Sequence, residues 1–308
     1  YGGMHLYLCR RLRRGFELGR GQRLAVFAFL LLMVFGPLMS RGIERLGWEG
    51  VAEPVALLAF GWMGVLFLSA SLFFFVDIVR LVAWLLRRVA RVSLPGMVVG
   101  WRPLCIGVLS LSVVASFYGF YAAREIRVER VVLSTSKLPA GVERYRVVQL
   151  SDIHLGVMTN EQWLQRIVVE VNSLKPDLIV ATGDIIDSNV PSSRPYLATL
   201  SNLQATDGKY GVAGNHEFFA GIDKAVGFMN EAGFVMLRGE RVVVKPWLHL
   251  LGVDDREGRH SGVVAVDHEQ PLMAANDPAA ITMLLKHQPV IREESIGKFD
   301  LQLAGHVH

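Results

Sequence analysis

Cysteine is nearly absent. Cys9 and Cys105 are the only two in 308 residues, and none follows position 105. No disulfide can therefore staple the rest of the chain, and thiol usage assigns it no compartment. Lysine is missing from residues 1–130, where 16 arginines stand against 7 acidic residues, a net +9. Residues 131–308 reverse the sign, with 16 basic and 21 acidic residues, a net −5. The basic pI of 9.2 thus comes from arginines beside apolar runs. A nucleic-acid binder carries its positive patch on the folded domain, so no nucleic-acid partner is expected. Internal repeats and low-complexity tracts are also missing, and nothing marks a protein partner. What the chain has in excess is apolar residues, 52% of the total, crowded into its first part.

Three runs there carry no charge: Leu24–Met39, Val55–Val76 and Leu104–Tyr121. About 20 apolar residues cross the hydrocarbon core, with roughly 17 as the lower limit. The second run crosses, the third just does, and the first needs its flanks. None is followed by a processing site of the kind that ends a signal peptide. A soluble bundle would need a polar stripe on each helix, which these runs lack. Residues 1–122 are therefore expected to form an all-α transmembrane region. Arginine-rich loops stay in the cytoplasm. The segment before the first run has Arg10, Arg11, Arg13, Arg14, Arg20 and Arg23, and the third loop has Arg87, Arg88, Arg91 and Arg102. The loop between has Arg41 and Arg45 offset by Glu44, Glu49 and Glu53. Alternation puts residues 122 onward on the non-cytoplasmic side, although Arg124, Arg127 and Arg130 oppose that placement. Asp77 and Arg80, three residues apart at the end of the second run, are expected to neutralise each other at the interface.

After a linker and first strand over 123–145, the pattern from 146 to 308 becomes short β-rich runs alternating with amphipathic stretches. Strands are expected at Arg146–Leu150, Asp177–Ala181, Lys209–Ala213, Val242–Val244, Leu248–Val253, Ile281–Leu285 and Leu301–Ala304. Helices are expected at Glu161–Leu174, Pro195–Leu203 and Ile222–Ala232. Such alternation predicts an α/β domain with a buried sheet. Five motifs punctuate it: Asp152-Ile153-His154, Gly183-Asp184, Gly214-Asn215-His216-Glu217, the single His287, and Gly305-His306-Val307-His308. The first three follow strands at the carboxyl ends, where α/β sheets gather ligands. Asp152 and His154 are two apart, as are His306 and His308, so extended backbone would point each pair one way. The glycines permit tight turns beside a crowded centre. Each motif alone is weak; Gly-Asp after a strand is commonly a helix cap. Together they supply the carboxylate, amide and imidazole mixture that suits two neighbouring divalent ions.

The wording "QLSDIHLG", "LKPDLIVATGDIID", "GVAGNHEFFAG", "LLKHQP" and "LAGHVH" resembles the calcineurin-like metallophosphoesterases over roughly residues 126–308. It is most similar to their bacterial membrane-anchored branch, in which helices precede the catalytic domain. The resemblance implies a four-layer α/β/β/α sandwich with two metals at its centre. It implies Asp152, His154 and His308 on one metal, Asn215, His287 and His306 on the second, and Asp184 bridging both. His216 would contact phosphate and assist the leaving oxygen, and Asp187 would have a structural task. Two cations about 3.5–4 Å apart lower the pKa of a shared water to near neutrality, and the hydroxide attacks phosphorus. An imidazole opposite can protonate the departing oxygen. Mixed oxygen and nitrogen donors suit manganese, iron or zinc.

The family continues past its last histidine motif, so a domain truncated after His308 is expected, with weakened occupancy of the first metal site. Tyr1–Leu8 resembles the end of an earlier helix. Membrane attachment favours a lipid-linked phosphodiester or pyrophosphate as substrate. Two plausible rim loops, Val190–Arg194 and Asp254–His268, carry no specificity code. Asp254, Asp255, His260 and His268 are irregularly spaced, which favours a solvated loop over another metal site. A catalytically silent membrane receptor or scaffold with a phosphate-binding domain is the alternative; intact His216 argues against it. A transporter would need more helices and paired intramembrane charges.

Overall fold

The computed structural model describes residues 1–89, 100–156, 159–187, 194–263, 269–274 and 277–307. His308, His268, Arg91, residues 190–193 of one expected rim loop and 264–267 of the other lie outside the described residues. The chain divides into two compact units, Tyr1–Arg127 and Val128–His308.

Among the described residues, the first unit has four helices: α1 (Gly2–Gly15), α2 (Arg20–Arg45), α3 (Glu49–Arg88) and α4 (Trp101–Ala122). The last three are long and apolar enough to cross a membrane. Each extends beyond the uncharged run that announced it, because flanking arginines continue a helix as well as leucine does. Helix α1 reaches well past Leu8 and buries one stripe, His5, Leu8, Arg11 and Gly15, at the spacing of a single helical face. Leu8 joins Leu30, Leu66, Phe73, Cys105 and Val108 in the unit's core. Small residues let the helices close. A Cβ on Gly36 would stand 2.8 Å from the Ala59 methyl, and one on Gly15 would collide with Cys105. Large apolar side chains such as Phe67, Phe74 and Phe117 are at least 60% exposed, which water tolerates poorly in so continuous a surface.

Asp77 accepts from the Tyr7 hydroxyl at 2.6 Å and from the Arg11 guanidinium. Partners for Asp77 thus come from α1, across the helical unit, and not from its own helix alone. Arg80 stacks on Trp101 at 4.0 Å.

The second unit holds two four-stranded sheets. One runs β1 (Val147–Leu150), β2 (Leu178–Thr182), β3 (Lys209–Val212), β4 (Phe234–Met236), all parallel. The other runs β5 (Glu240–Lys245), β6 (Leu248–Gly252), β7 (Ile281–Leu285), β8 (Leu301–Leu303), with only the β5–β6 pair antiparallel. Period-two alternation directs Leu178 and Val180 of β2, Leu248 and Leu250 of β6, and Ile281, Met283 and Leu285 of β7 into one shared core, so the sheets face each other. The opposite face of the second sheet, through Leu251 and Leu284, packs on Met273 of the 269–274 helix. Helix α5 (Glu161–Ser173), capped by the Asn160 side chain on Trp163 N, buries Leu164, Ile167, Val168 and Val171. With α6 (Arg194–Ser201) and α8 (Ile222–Glu231), this is the α/β/β/α order expected.

Several described elements had no clear signal: β4, the 269–274 helix, the six-residue α7 (Asn215–Ala220) and two short helical turns, Glu257–His260 and Glu293–Ser295. No strand forms between 123 and 145. Val131, Val132 and Leu133 there are 77%, 91% and 63% exposed, so β-propensity finds no described neighbouring strand to pair with.

Leu250→Ala should open a cavity between the sheets and cost the second unit about 2–5 kcal/mol. Val243, on β5 and 55% exposed, should tolerate alanine at less than about 1 kcal/mol. Thermal unfolding of both variants checks the contrast.

Candidate metal centre

Backbone conformation marks the site before any side chain does. Among the described residues, five that are not glycine have positive φ, and four of them are Asp152 (55°), His154 (51°), Asp184 (53°) and His306 (72°). Left-handed backbone costs such residues roughly 1–3 kcal/mol each and clusters at functional sites. This corrects the extended geometry expected for Asp152–His154 and for His306. The chain turns sharply after each strand because the loops bond to one another. Asp152 N donates to Gly183 O at 3.1 Å, His154 N to Asp184 O at 2.9 Å, and Leu155 N to Ile185 O at 2.8 Å. Gly183 (φ 93°) could not be replaced, since a Cβ would stand 2.7 Å from Gly214 N and from His287 Nδ1.

Asp184 sits at the centre, 2% exposed. Its Oδ1 accepts from His216 N at 2.9 Å, capping α7 from a different loop. Its Oδ2 lies 3.1 Å from His287 Nε2 and 3.9 Å from His154 Nε2. His306 Nδ1 is 3.1 Å from the same His287 nitrogen. Among the described residues, two groups are compact enough to hold an ion: Asp184 with His287 and His306, and Asp184 with His154 and His216. Asp152 stands beside them, its carboxylate accepting from His306 N at 3.0 Å and from Ser151 Oγ at 2.6 Å. Asn215 Oδ1 is buried without a hydrogen-bond partner. An unsatisfied buried acceptor is unfavourable by about 1–3 kcal/mol, and a cation would satisfy it. The donor set therefore fits divalent metal.

Electrostatics separate the imidazoles. Burial holds His154 below its ordinary range, against the pull of Asp184, so its neutral, metal-binding form is favoured. His216, whose ring centroid is 4.6 Å away, is shifted upward, chiefly by the 2.8 Å bond between its Nδ1 and Asp187. Burial opposes protonation of His287, but the bond to Asp184 and its charge prevail and push it up to about 9. Asp184 responds in kind: burial raises it, yet His287 holds it below the usual carboxylate range. His287 Nδ1 lies 2.9 Å from Thr182 O, which fixes Nε2 as the nitrogen facing Asp184.

Two residues emerge with roles the sequence did not give them. Asp187 orients His216. Glu217, 1% exposed, accepts from Asp184 N at 2.9 Å, Gly214 N at 2.8 Å and Ile186 N at 3.0 Å. Its place directly after His216 was the only available signal, and a charged residue on a short helix ordinarily faces water. Of the four acidic and imidazole residues read as a solvated loop, Asp254 and Asp255 differ, whereas His260 is exposed as expected. Asp254 is paired with Arg238 at 3.2 Å with its side chain 4% exposed. Asp255, 5% exposed, accepts from Glu257 N at 2.8 Å and Gln288 Nε2 at 3.1 Å. Both carboxylates are buried because these partners replace water.

A family model described as calcineurin-like phosphoesterase matches residues 145–308. A protein of Aquifex aeolicus described as an uncharacterized metallophosphoesterase is 36% identical over 63% of this chain and 76% of its own length. One of Helicobacter pylori with the same description is 33% identical over 53% of this chain and 44% of its own. A Danio rerio transmembrane protein with metallophosphoesterase domain is 32% identical over 65% of this chain and 48% of its own. The chain thus spans less than half the length of the latter two.

Glu217→Gln would turn an amide donor toward backbone N–H groups. Manganese affinity should fall by about 10–100-fold with secondary structure retained, as titration calorimetry would read; wild-type affinity would remove Glu217 from this role. A cation at His287 Nε2 competes with the proton held there up to about pH 9. Affinity should therefore rise by up to about tenfold per pH unit below that value and level off above it. Calorimetry between pH 7 and 10 checks the slope.

Proposed function

The chain belongs to the calcineurin-like phosphoesterase family, and from that premise we propose a membrane-anchored, dinuclear-metal hydrolase of phosphodiester or pyrophosphate bonds. One observation carries the reading: Asp184 Oδ2 lies between His287 and His154 imidazole nitrogens, at 3.1 and 3.9 Å, where a single carboxylate can serve two ions. His287, His306 and Asn215 would hold one cation, and Asp152 and His154, with His308, the other. Manganese, iron or zinc suits these donors. When bound, two such cations polarise a phosphoryl group and acidify water.

The chain's own residues supply the rest. Glu217 fixes the loops that carry Asp184 and Asn215. We assign His216 to the phosphate and not to a metal, because Asp187 engages its Nδ1 and leaves the other ring nitrogen to donate. Its other ring nitrogen then delivers a proton to the departing oxygen. Helices α2, α3 and α4 would cross a bacterial cell membrane, with their arginine-rich ends in the cytoplasm and residues 128 onward outside it. A bilayer-tethered site meets lipid-linked substrates at raised local concentration, which favours a lipid-linked diester or pyrophosphate.

The detergent-purified protein should hydrolyse an aryl phosphodiester with manganese and not with chelator. Asp184→Ala should lose both turnover and metal. His216→Gln should lower kcat by about 10²–10⁴-fold while keeping its metal content, measured by elemental analysis. Turnover that survives chelation would sink the reading.

A further inference from the structure

Helix α7 sends three successive side chains to three different environments. Glu217 points inward to the loop N–H groups and is buried. Phe218 is half-buried, with the Arg238 guanidinium 6.0 Å from its ring centre. Phe219 is 56% exposed, and among the described residues no other large apolar side chain between Val169 and Val235 is exposed. A phenyl ring left this open forgoes most of the burial that would stabilise the fold, so packing within the unit does not account for it. Its place does. Residues three apart on a helix are neighbours, and the Phe219 ring meets that of His216 at 66°, with centroids 5.6 Å apart.

The neighbours of His216 limit where a substrate can lie. Asp187 engages its Nδ1 at 2.8 Å, and the His154 ring, which also faces Asp184, is 4.6 Å away. Nε2 is left for the ester oxygen, and a proton donor must come within about 2.6–3.2 Å of the atom it serves. Hydrolysis joins a water oxygen to phosphorus and breaks the ester P–O bond in line with it. The electron pair leaves on the ester oxygen, which takes the Nε2 proton; the water's proton goes to solvent, from which His216 is recharged. The group carried on that oxygen then departs past the open side of an imidazole that is 27% exposed, and Phe219 is the exposed ring bordering it. We propose that Phe219 packs against the departing group and so selects esters whose leaving alcohol is apolar. The inference rests on the hydrolase reading above and adds to it the residue that chooses the leaving side.

Methyl para-alkylphenyl phosphodiesters are the probe. The alkyl tail enlarges the apolar area of the departing phenol and barely alters its acidity. With the detergent-purified whole chain and manganese, kcat/KM should rise several-fold from the phenyl to the butylphenyl ester. Phe219→Ala should flatten that rise while keeping the wild-type metal content. Comparison within one detergent cancels partitioning of the tail into micelles. Phe219 is exposed, so alanine should leave the fold intact, as thermal unfolding would read; if it does not, Phe219→Gln, polar and of similar reach, carries the same test. Were Phe219 merely a support for the His216 ring, its loss would lower kcat equally for every ester and shift the pH profile. That result, a flat series in the wild type, or an unchanged rise in the variant would each overturn the proposal. Absence of metal-dependent turnover of any ester by the wild type would instead sink the hydrolase reading, and this inference with it.

Discussion

One buried carboxylate holds the catalytic unit in register. Glu217 is shut away from water, which disfavours its charge, yet three backbone N–H groups converge on it from the loops after β2 and β3. Those loops carry Asp184 and Asn215. Without such an acceptor, three buried donors would be left unsatisfied and the left-handed turns at the centre would have nothing to oppose their strain. The same turn of α7 that delivers Glu217 inward presents His216 N to Asp184. The framework and the site are therefore one hydrogen-bonded object, not a scaffold with groups attached.

That object sorts neighbouring groups by environment. His154 and His216 are in ring contact but are driven in opposite directions, one by burial and the other by Asp187. A site that binds cations and also donates a proton needs both kinds of imidazole within a few ångströms. Here the difference is made by a single carboxylate partner, and pairs of titratable groups pushed apart in this way mark acid–base division of labour.

Much of this was legible in the residues. The alternation of strands with helices announced a buried sheet, and the motifs named residues, His154, Asn215, His216, His287 and His306 among them, that the fold does bring around Asp184. What stayed hidden was long-range. Asp184 caps a helix 31 residues further on, a contact no local pattern encodes. Glu217 stands in the sequence only as the last member of a motif, with nothing local to name the three donors around it, and Asp254 and Asp255 read as solvated until Arg238 and Gln288 are placed beside them. Local periodicity likewise predicted strand character between 123 and 145, but a strand needs a neighbour. In the helical unit, Tyr7 and Arg11 of α1 reach Asp77 from a distant part of the sequence, a contact that the Asp77–Arg80 spacing did not announce.

Helix α3 has a further consequence. Its 40 residues, at about 1.5 Å each, make a rod of about 60 Å, roughly twice the hydrocarbon thickness of a bilayer. Trp84, Leu85 and Leu86, near its C-terminal end, remain 58%, 42% and 41% exposed. Such a rod set across a bilayer must lean or carry that apolar end along the surface, and either choice ties its energy to how thick the lipid layer is. In a bilayer, the length of one helix would thereby make the helical unit responsive to the thickness of the layer around it.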